Sequence, residues 1–342
     1  MDDLKPLIAK LVTGAVLGED EAERAFDIIM SGKATPAQIG GMLAAMRVRG
    51  EQVSELVGAA RTMRAKAETI TAPPGAVDCC GTGGDGLGTY NVSTAVALVV
   101  AAAGIPVAKH GNRAASSKSG AADVLTALGA DLDAGFDLIE SALRSVNFCF
   151  LMAPRHHAAM RHVVPVRTEL GSRTIFNLLG PLANPAAAER QLIGVFDRIY
   201  VEPLAHVLHG LGARAAWVVH SEDGMDELTV TGASYVAALK DGSVTAFTVT
   251  PEDAGLPRHA GTELRGGDAE TNAAALQALL RGATGAYRDI VLLNAAAVFI
   301  IAQRAETLRD GAALAARLID SGAAAKVLSD FIAITRAGAA LS

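Results

Sequence analysis

A small all-helical unit in front of a larger α/β domain, built on a mainly parallel central sheet, is the fold class this sequence predicts. Three observations predict it. Residues 1–72 carry helical periodicity alone, the breaker cluster Ala72-Pro73-Pro74-Gly75 ends them, and beyond it short apolar runs alternate with helical stretches.

In the first unit, Leu4, Leu7, Ile8 and Leu11 follow the i, i+3, i+4, i+7 spacing of one buried helical face. Ala22, Ala25, Phe26 and Ile29 repeat it, with Gly32 placed to end that helix. Thr35, Pro36 and Gln38 then spell a capping box with proline at the first helical position. Ile39, Met42, Leu43 and Met46 supply the apolar face of that helix, and Gly50 closes it. A fourth helix carries Val53, Leu56, Val57 and Ala60.

In the second unit, strands are expected at 76–79, 107–109, 148–151, 191–195, 215–220, 243–248 and 290–293. Helices are expected at 93–103, 119–128, 137–146, 201–211, 269–280, 295–303 and 311–321. The block 174–179 is also helical in pattern, so the expected domains are 1–72, rejoined by about 165–190, and 73–342.

Composition narrows the function. The 342 residues are 51% hydrophobic and 19% charged, enough to bury a large core. A net charge of −6 with no long basic stripe argues against nucleic acid as a partner; the short basic clusters at 109–113 and 155–167 suit the phosphates of a small ligand. Cys79, Cys80 and Cys149 form no even disulfide set, and MDDLKPLIAK is no secretory leader, so a cytoplasmic protein without a membrane span is expected.

The stretch GTGGDGLGTYNVST, Gly81 to Thr94, follows an expected strand and opens a helix. Glycines there let backbone N–H groups approach a ligand, and a helix N-terminus favours an anion. Gly81, Gly83 and Gly86 match the dinucleotide pattern, but no acidic residue lies between Gly86 and Ala122 to hold a ribose hydroxyl, and Asp85 would repel a pyrophosphate. No Gly-Lys-Ser/Thr follows either, so this is no Walker loop. A second loop, KHGNRAASSKSG from Lys109 to Gly120, again runs from strand to helix with cations and hydroxyls that suit a diphosphate. After a third expected strand, Asp226 and Glu227 offer the hard oxygen ligands magnesium prefers.

These stretches, with the run APRHHAAMRHVVPVR from Ala153 to Arg167 and GSRTIFNLLGPLANP after it, resemble the signature elements of anthranilate phosphoribosyltransferases, and the likeness spans essentially the whole chain. The resemblance implies a class II nucleoside phosphorylase-like fold, a homodimer joined through the helical units, and transfer of a phosphoribosyl group from 5-phosphoribosyl 1-diphosphate to anthranilate. It also implies magnesium, two ions per subunit. Position by position, it assigns the diphosphate substrate to Gly81, Gly84, Asp85, Thr89, Asn91, Val92, Ser93 and Thr94. Lys109, His110, Gly111, Asn112, Arg113, Ala114, Ala115, Ser116, Ser117 and Ala121 complete that site. Anthranilate falls to Gly81, Asn112 and Arg167, with His110 and Pro154 along its path; metal falls to Ser93, Asp226 and Glu227; Lys109 and Arg167 are the expected catalytic groups. The chain departs from the family at Ala121 and Ala122, where a serine is usual, and at Ala158, where many members have proline.

A pyrimidine nucleoside phosphorylase would share the fold, but the metal carboxylates suit a diphosphate leaving group rather than inorganic phosphate. A nucleic-acid-binding relative is disfavoured by the acidic charge. His156, His157 and His162 match no common zinc spacing and read as lining or surface, and Trp217 reads as core.

Overall fold

A computed structural model describes residues 3–114 and 118–337. Helices α1 (Lys5–Val12), α2 (Glu19–Met30), α3 (Pro36–Arg49) and α4 (Val53–Ala65) form the leading unit. The capping box of α3 is formed as its sequence requires: Gln38 N–H donates to Thr35 Oγ1 at 3.3 Å, and Thr35 N–H donates to Gln38 Oε1 at 2.9 Å.

The remainder interleaves strands and helices: β1 (Val77–Gly81), α5 (Val92–Ala102), β2 (Val107–Gly111), α6 (Ala121–Ala127), α7 (Phe136–Val146), β3 (Phe148–Met152) and α8 (Ala153–His156). Then follow α9 (Val164–Leu170), α10 (Phe176–Leu182), β4 (Arg190–Gly194), α11 (Val201–Gly210), β5 (Ala215–Ser221), β6 (Ser234–Lys240) and β7 (Ser243–Val249). The chain ends in α12 (Ala269–Leu280), α13 (Ala286–Ile301), α14 (Leu308–Asp320) and α15 (Ala323–Ala337). Among the described residues, no helix is long and apolar enough to cross a membrane.

The strands form a seven-stranded sheet in the order β3-β2-β1-β4-β5-β6-β7. The first five are parallel, and β6 and β7 add an antiparallel edge. The chain moves outward from β1 to β3, then returns to place β4 on the other flank of β1. That reversal makes a topological switch point at the carboxyl ends of β1 and β4, where Gly81 pairs with Gly194. One face of the sheet shares a core with α5, α13 and α15. The other shares a core with α1–α4, α11, and Val166 and Phe176 of α9 and α10.

Two sequence expectations are corrected. The run at 290–293 is no strand but the interior of α13, where Ile290, Val291, Leu292 and Leu293 are all buried. A helix apolar all round reads locally like a buried strand; its continuity with the helical pattern at 295–303 is what decides. Strand β6 was not expected at all. It is joined to β7 by Asp241 and Gly242, both at positive φ (49° and 78°), the Asp-Gly pair of a two-residue hairpin turn.

Candidate active site

Two strand ends lack side chains, and the segment after β5 takes up the space. A Cβ on Gly194 would overlap the Asp226 carbonyl, and one on Gly81 would overlap the Asp226 carboxylate. The segment after β5 therefore lies directly across the ends of β1 and β4. Asn294 of α13, fully buried, holds it there: its Oδ1 accepts from Leu228 N–H at 3.0 Å and its Nδ2 donates to the Leu228 carbonyl at 2.8 Å.

Asp226 Oδ2 accepts from Gly83 N–H at 2.7 Å, which ties the carboxylate segment to the glycine loop. Glu227 lies near the Ser93 backbone in the first turn of α5, which opposes the rise in its pKa. Burial is the main force on both carboxyls. It pushes Asp226 up to about 6, helped by the neighbouring Asp85 charge, and Glu227 up to about 8, helped by Asp226 and opposed by Lys109. Two buried like charges of this kind are relieved by a cation.

Lys109 on β2 is 1% exposed, and its Nζ donates to the Cys79 carbonyl at 2.7 Å and to Ser93 Oγ at 3.1 Å. Its ammonium thus lies beneath the opening of α5. The next residue, His110, is held by Asp78: the buried carboxylate accepts from His110 N–H at 3.2 Å and from Asn184 Nδ2 at 2.7 Å. His110 Nδ1 lies 3.1 Å from the Gly180 carbonyl, so it carries the ring proton and Nε2 is left as a bare acceptor without a partner. Burial, then neighbouring His157 and His156, lower its pKa to about 3, so the ring is neutral.

The residues expected to bind the donor lie around the ends of β1 and β2 and the openings of α5 and α6. Gly84 and Asp85 lie in the loop after β1, Thr89 forms a bridge to Arg265, and Asn91 precedes α5, whose first turn contributes Val92, Ser93 and Thr94. From β2 come Lys109, His110 and Gly111; Ala121 opens α6. Asn112 accepts from Ala122 N–H through its carbonyl at 3.2 Å. Arg113 turns its guanidinium to Asp123 at 3.1 Å, and Ala114 N–H donates to the same carboxylate at 2.9 Å. Ala115, Ser116 and Ser117 lie outside the described residues.

Arg167 comes from α9, in the other layer. It is half-buried, its pKa lowered by that burial, and its Nη2 lies 3.5 Å from Asn177 Oδ1. Pro154 lies in α8. His156 packs under Phe136 with Nδ1 2.5 Å from the Glu68 carbonyl, and His162 packs against Gly32. Among the described residues, no set of three histidine, cysteine or acidic side chains is arranged to hold a metal. Magnesium ordinarily takes one or two protein carboxylates and leaves the rest of its shell to water and phosphate.

Sequence reasoning missed Gly194, Asn294, Asp78 and Arg173. Arg173 donates to the Gly84 carbonyl while its guanidinium sits 4.0 Å over the Phe196 ring, joining the α9–α10 connection to the glycine loop. Gly194 had a signal, a glycine at the end of an expected strand. The others act through contacts distant in sequence and carried none.

The class that this fold and crevice define is a two-part glycosyl transferase. The family described as "Glycosyl transferase family, a/b domain" matches residues 73–325, and "Glycosyl transferase family, helical bundle domain" matches 5–67. The anthranilate phosphoribosyltransferase of Paramagnetospirillum magneticum is 61% identical over 97% of this chain and 96% of its own; that of Azospirillum brasilense is 60% identical over 98% and 94%. Among solved structures, the Thermus thermophilus enzyme superposes with a TM-score of 0.92 at 44% identity, covering 96% of this chain and 99% of its own. The Saccharomyces cerevisiae enzyme, in complex with PRPP and Mg, gives 0.89 at 26% identity, covering 98% of each chain. The chain belongs to the anthranilate phosphoribosyltransferase family.

Gly194→Ala is expected to leave a folded protein with transferase activity lowered about tenfold or more, since displacing a ligand-bearing segment by even 1 Å can cost about a hundredfold. Activity within twofold of the parent in a steady-state assay would show that the backbone of Asp226 does not need that approach.

Proposed function

We propose that this chain transfers the phosphoribosyl group of 5-phosphoribosyl 1-diphosphate to the amine of anthranilate, giving N-(5-phosphoribosyl)anthranilate and diphosphate in tryptophan biosynthesis. One observation carries the reading: at the switch point of the sheet, a buried carboxylate pair lies against a glycine loop and the opening of α5, with a half-buried arginine presented from the helical layer.

The anomeric carbon loses diphosphate, which leaves with the bonding pair, and the amine lone pair of anthranilate forms the new C–N bond as its proton departs. Departure is slow unless the developing charge is neutralised, so electrostatic stabilisation is the main demand on the site. The glycine loop, the first turn of α5 and the Lys109–Ala121 segment bind the donor, and the Lys109 ammonium adds positive charge beneath it. Asp226, Glu227 and Ser93 would hold magnesium, two ions per subunit in this reading; bound magnesium supplies charge neutralisation at diphosphate. The amine is neutral at pH 7, so no strong base is required and orientation dominates. Arg167 meets the anthranilate carboxylate, since guanidinium pairs with carboxylate bidentately. Neutral His110 carries no charge to compete with Arg167 for that carboxylate.

The same reading makes the molecule a homodimer joined through its helical unit, supported there by exposed Val12 and Val48 (67% and 90%). It places residues 1–72 with about 165–190 in that unit and 73–342 in the α/β domain, supported by the core that Phe26 and Met42 share with Val166 and Leu179. A cytoplasmic location is supported by three buried, free cysteines.

Anthranilate fluorescence should disappear only when phosphoribosyl diphosphate and magnesium are both added; no loss under any condition would remove anthranilate as substrate. Arg167→Ala is expected to raise KM for anthranilate about tenfold or more, the scale of a lost charge-assisted pair, with KM for the donor little changed. An unchanged anthranilate KM would take Arg167 out of the acceptor site.

A further inference from the structure

The donor loop is held by two carboxamides whose orientation is fixed from both ends. Gly267 N–H donates to Asn272 Oδ1 at 2.8 Å, Asn272 Nδ2 donates to Asn91 Oδ1 at 2.9 Å, and Asn91 Nδ2 donates to the Ser119 carbonyl at 3.4 Å. A backbone N–H only donates and a carbonyl only accepts, so neither carboxamide can turn over without opposing like groups at one end. Asn272 is 2% exposed, in the first turn of α12, outside all three sequence motifs.

Asn91 precedes α5 at the position where asparagine ordinarily caps a helix by accepting from a first-turn amide. Here its side chain makes no such cap, because the oxygen is engaged by Asn272. The carboxamide instead ties the glycine loop to Ser119, at the end of the second loop. The segment before α12 makes further contacts: Tyr90 N–H donates to the Leu264 carbonyl at 3.1 Å and Gly266 N–H donates to the Gly88 carbonyl at 2.9 Å. A Cβ on Gly266 would lie 2.7 Å from the Thr89 carbonyl, and Tyr90 stacks on Tyr287 with centroids 4.5 Å apart.

We propose that Asn272 is a positioning residue for the donor site: by fixing the orientation of the Asn91 carboxamide it ties the glycine loop, at the opening of α5, to the second loop at Ser119, and so sets the two phosphoribosyl diphosphate loops relative to each other. The inference rests on the donor-site reading above and extends it to a residue that touches no substrate.

Asn272→Asp keeps the size of the side chain and still accepts from Gly267. It offers Asn91 an oxygen, so Asn91 must turn its nitrogen inward and its oxygen toward the Ser119 carbonyl. Asn272→Leu removes the link altogether. Asp268→Ala is the control, since it removes the cap of α12 (Asp268 Oδ1 accepts from Thr271 N–H at 2.9 Å) without touching the carboxamides. Calorimetry on the full chain with magnesium and phosphoribosyl diphosphate should show Kd weakened about tenfold by Asn272→Asp and Asn272→Leu, on the scale of a buried polar group left unpaired. Anthranilate KM should stay within about twofold in both, and Asp268→Ala should lower the thermal midpoint while leaving Kd unchanged. A donor Kd unchanged in a folded Asn272→Asp protein overturns the proposal. So does an equal rise in donor Kd and anthranilate KM that Asp268→Ala reproduces. A parent that binds donor without consuming anthranilate refutes the acceptor assignment alone, whereas a parent that binds no donor refutes the donor site and this proposal with it.

Discussion

Two carboxylates buried side by side at the end of a parallel sheet are the constraint on which the rest of the site depends. Water would solvate Asp226 and Glu227 at little cost; the fold instead places them where burial raises both pKa values. They stay there because Gly81 and Gly194 leave room for the segment and Asn294 satisfies both backbone groups of Leu228. In the proposed reading the energetic cost of that arrangement is recovered when cations and a charged substrate bind, so the site is preorganised for binding rather than for stability.

The surrounding elements serve the same end. Lys109 lies buried below, close enough to oppose the rise at Glu227 and to hold Ser93 through its hydroxyl. Asp78, itself raised by burial, anchors β2 through His110 and reaches Asn184 ahead of β4. His110 then contacts Gly180 of α10, and Arg173 reaches Gly84 from the other side of that helix. The glycine loop, the strand β2 and the helical layer bearing Arg167 are thus linked by polar contacts at two places, which fixes them relative to one another.

Much of this was legible in the sequence because it is local. The Thr35–Gln38 capping box, the glycine loop before α5 and the Lys109–Gly120 loop are contiguous motifs whose chemistry needs no distant partner. What was illegible depends on tertiary context. The strand expected at 290–293 failed because a helix buried on all sides loses its periodicity. Strand β6 was overlooked although Asp241-Gly242 announces its hairpin. Asn272 and Asn294 looked like ordinary helix residues; only the fold brings one to Asn91 and the other to Leu228. Arg113, expected on the diphosphate, is turned to Asp123, a partner ten residues away on α6.

The central claim is that the buried carboxylates receive a cation, and the proton balance of magnesium binding tests it most directly. Burial raises both carboxyls, so the free pair holds protons at higher pH than ordinary carboxylates do, and a metal must displace them. Calorimetric titration of magnesium into the protein without phosphoribosyl diphosphate, repeated in buffers of different ionisation heat, should show proton release at pH 7 that shrinks as the pH is raised to 9. The Asp226→Asn, Glu227→Gln double variant should release none. Magnesium binding with no proton release at pH 7, or release unchanged in that variant, would place the metal elsewhere and contradict the account.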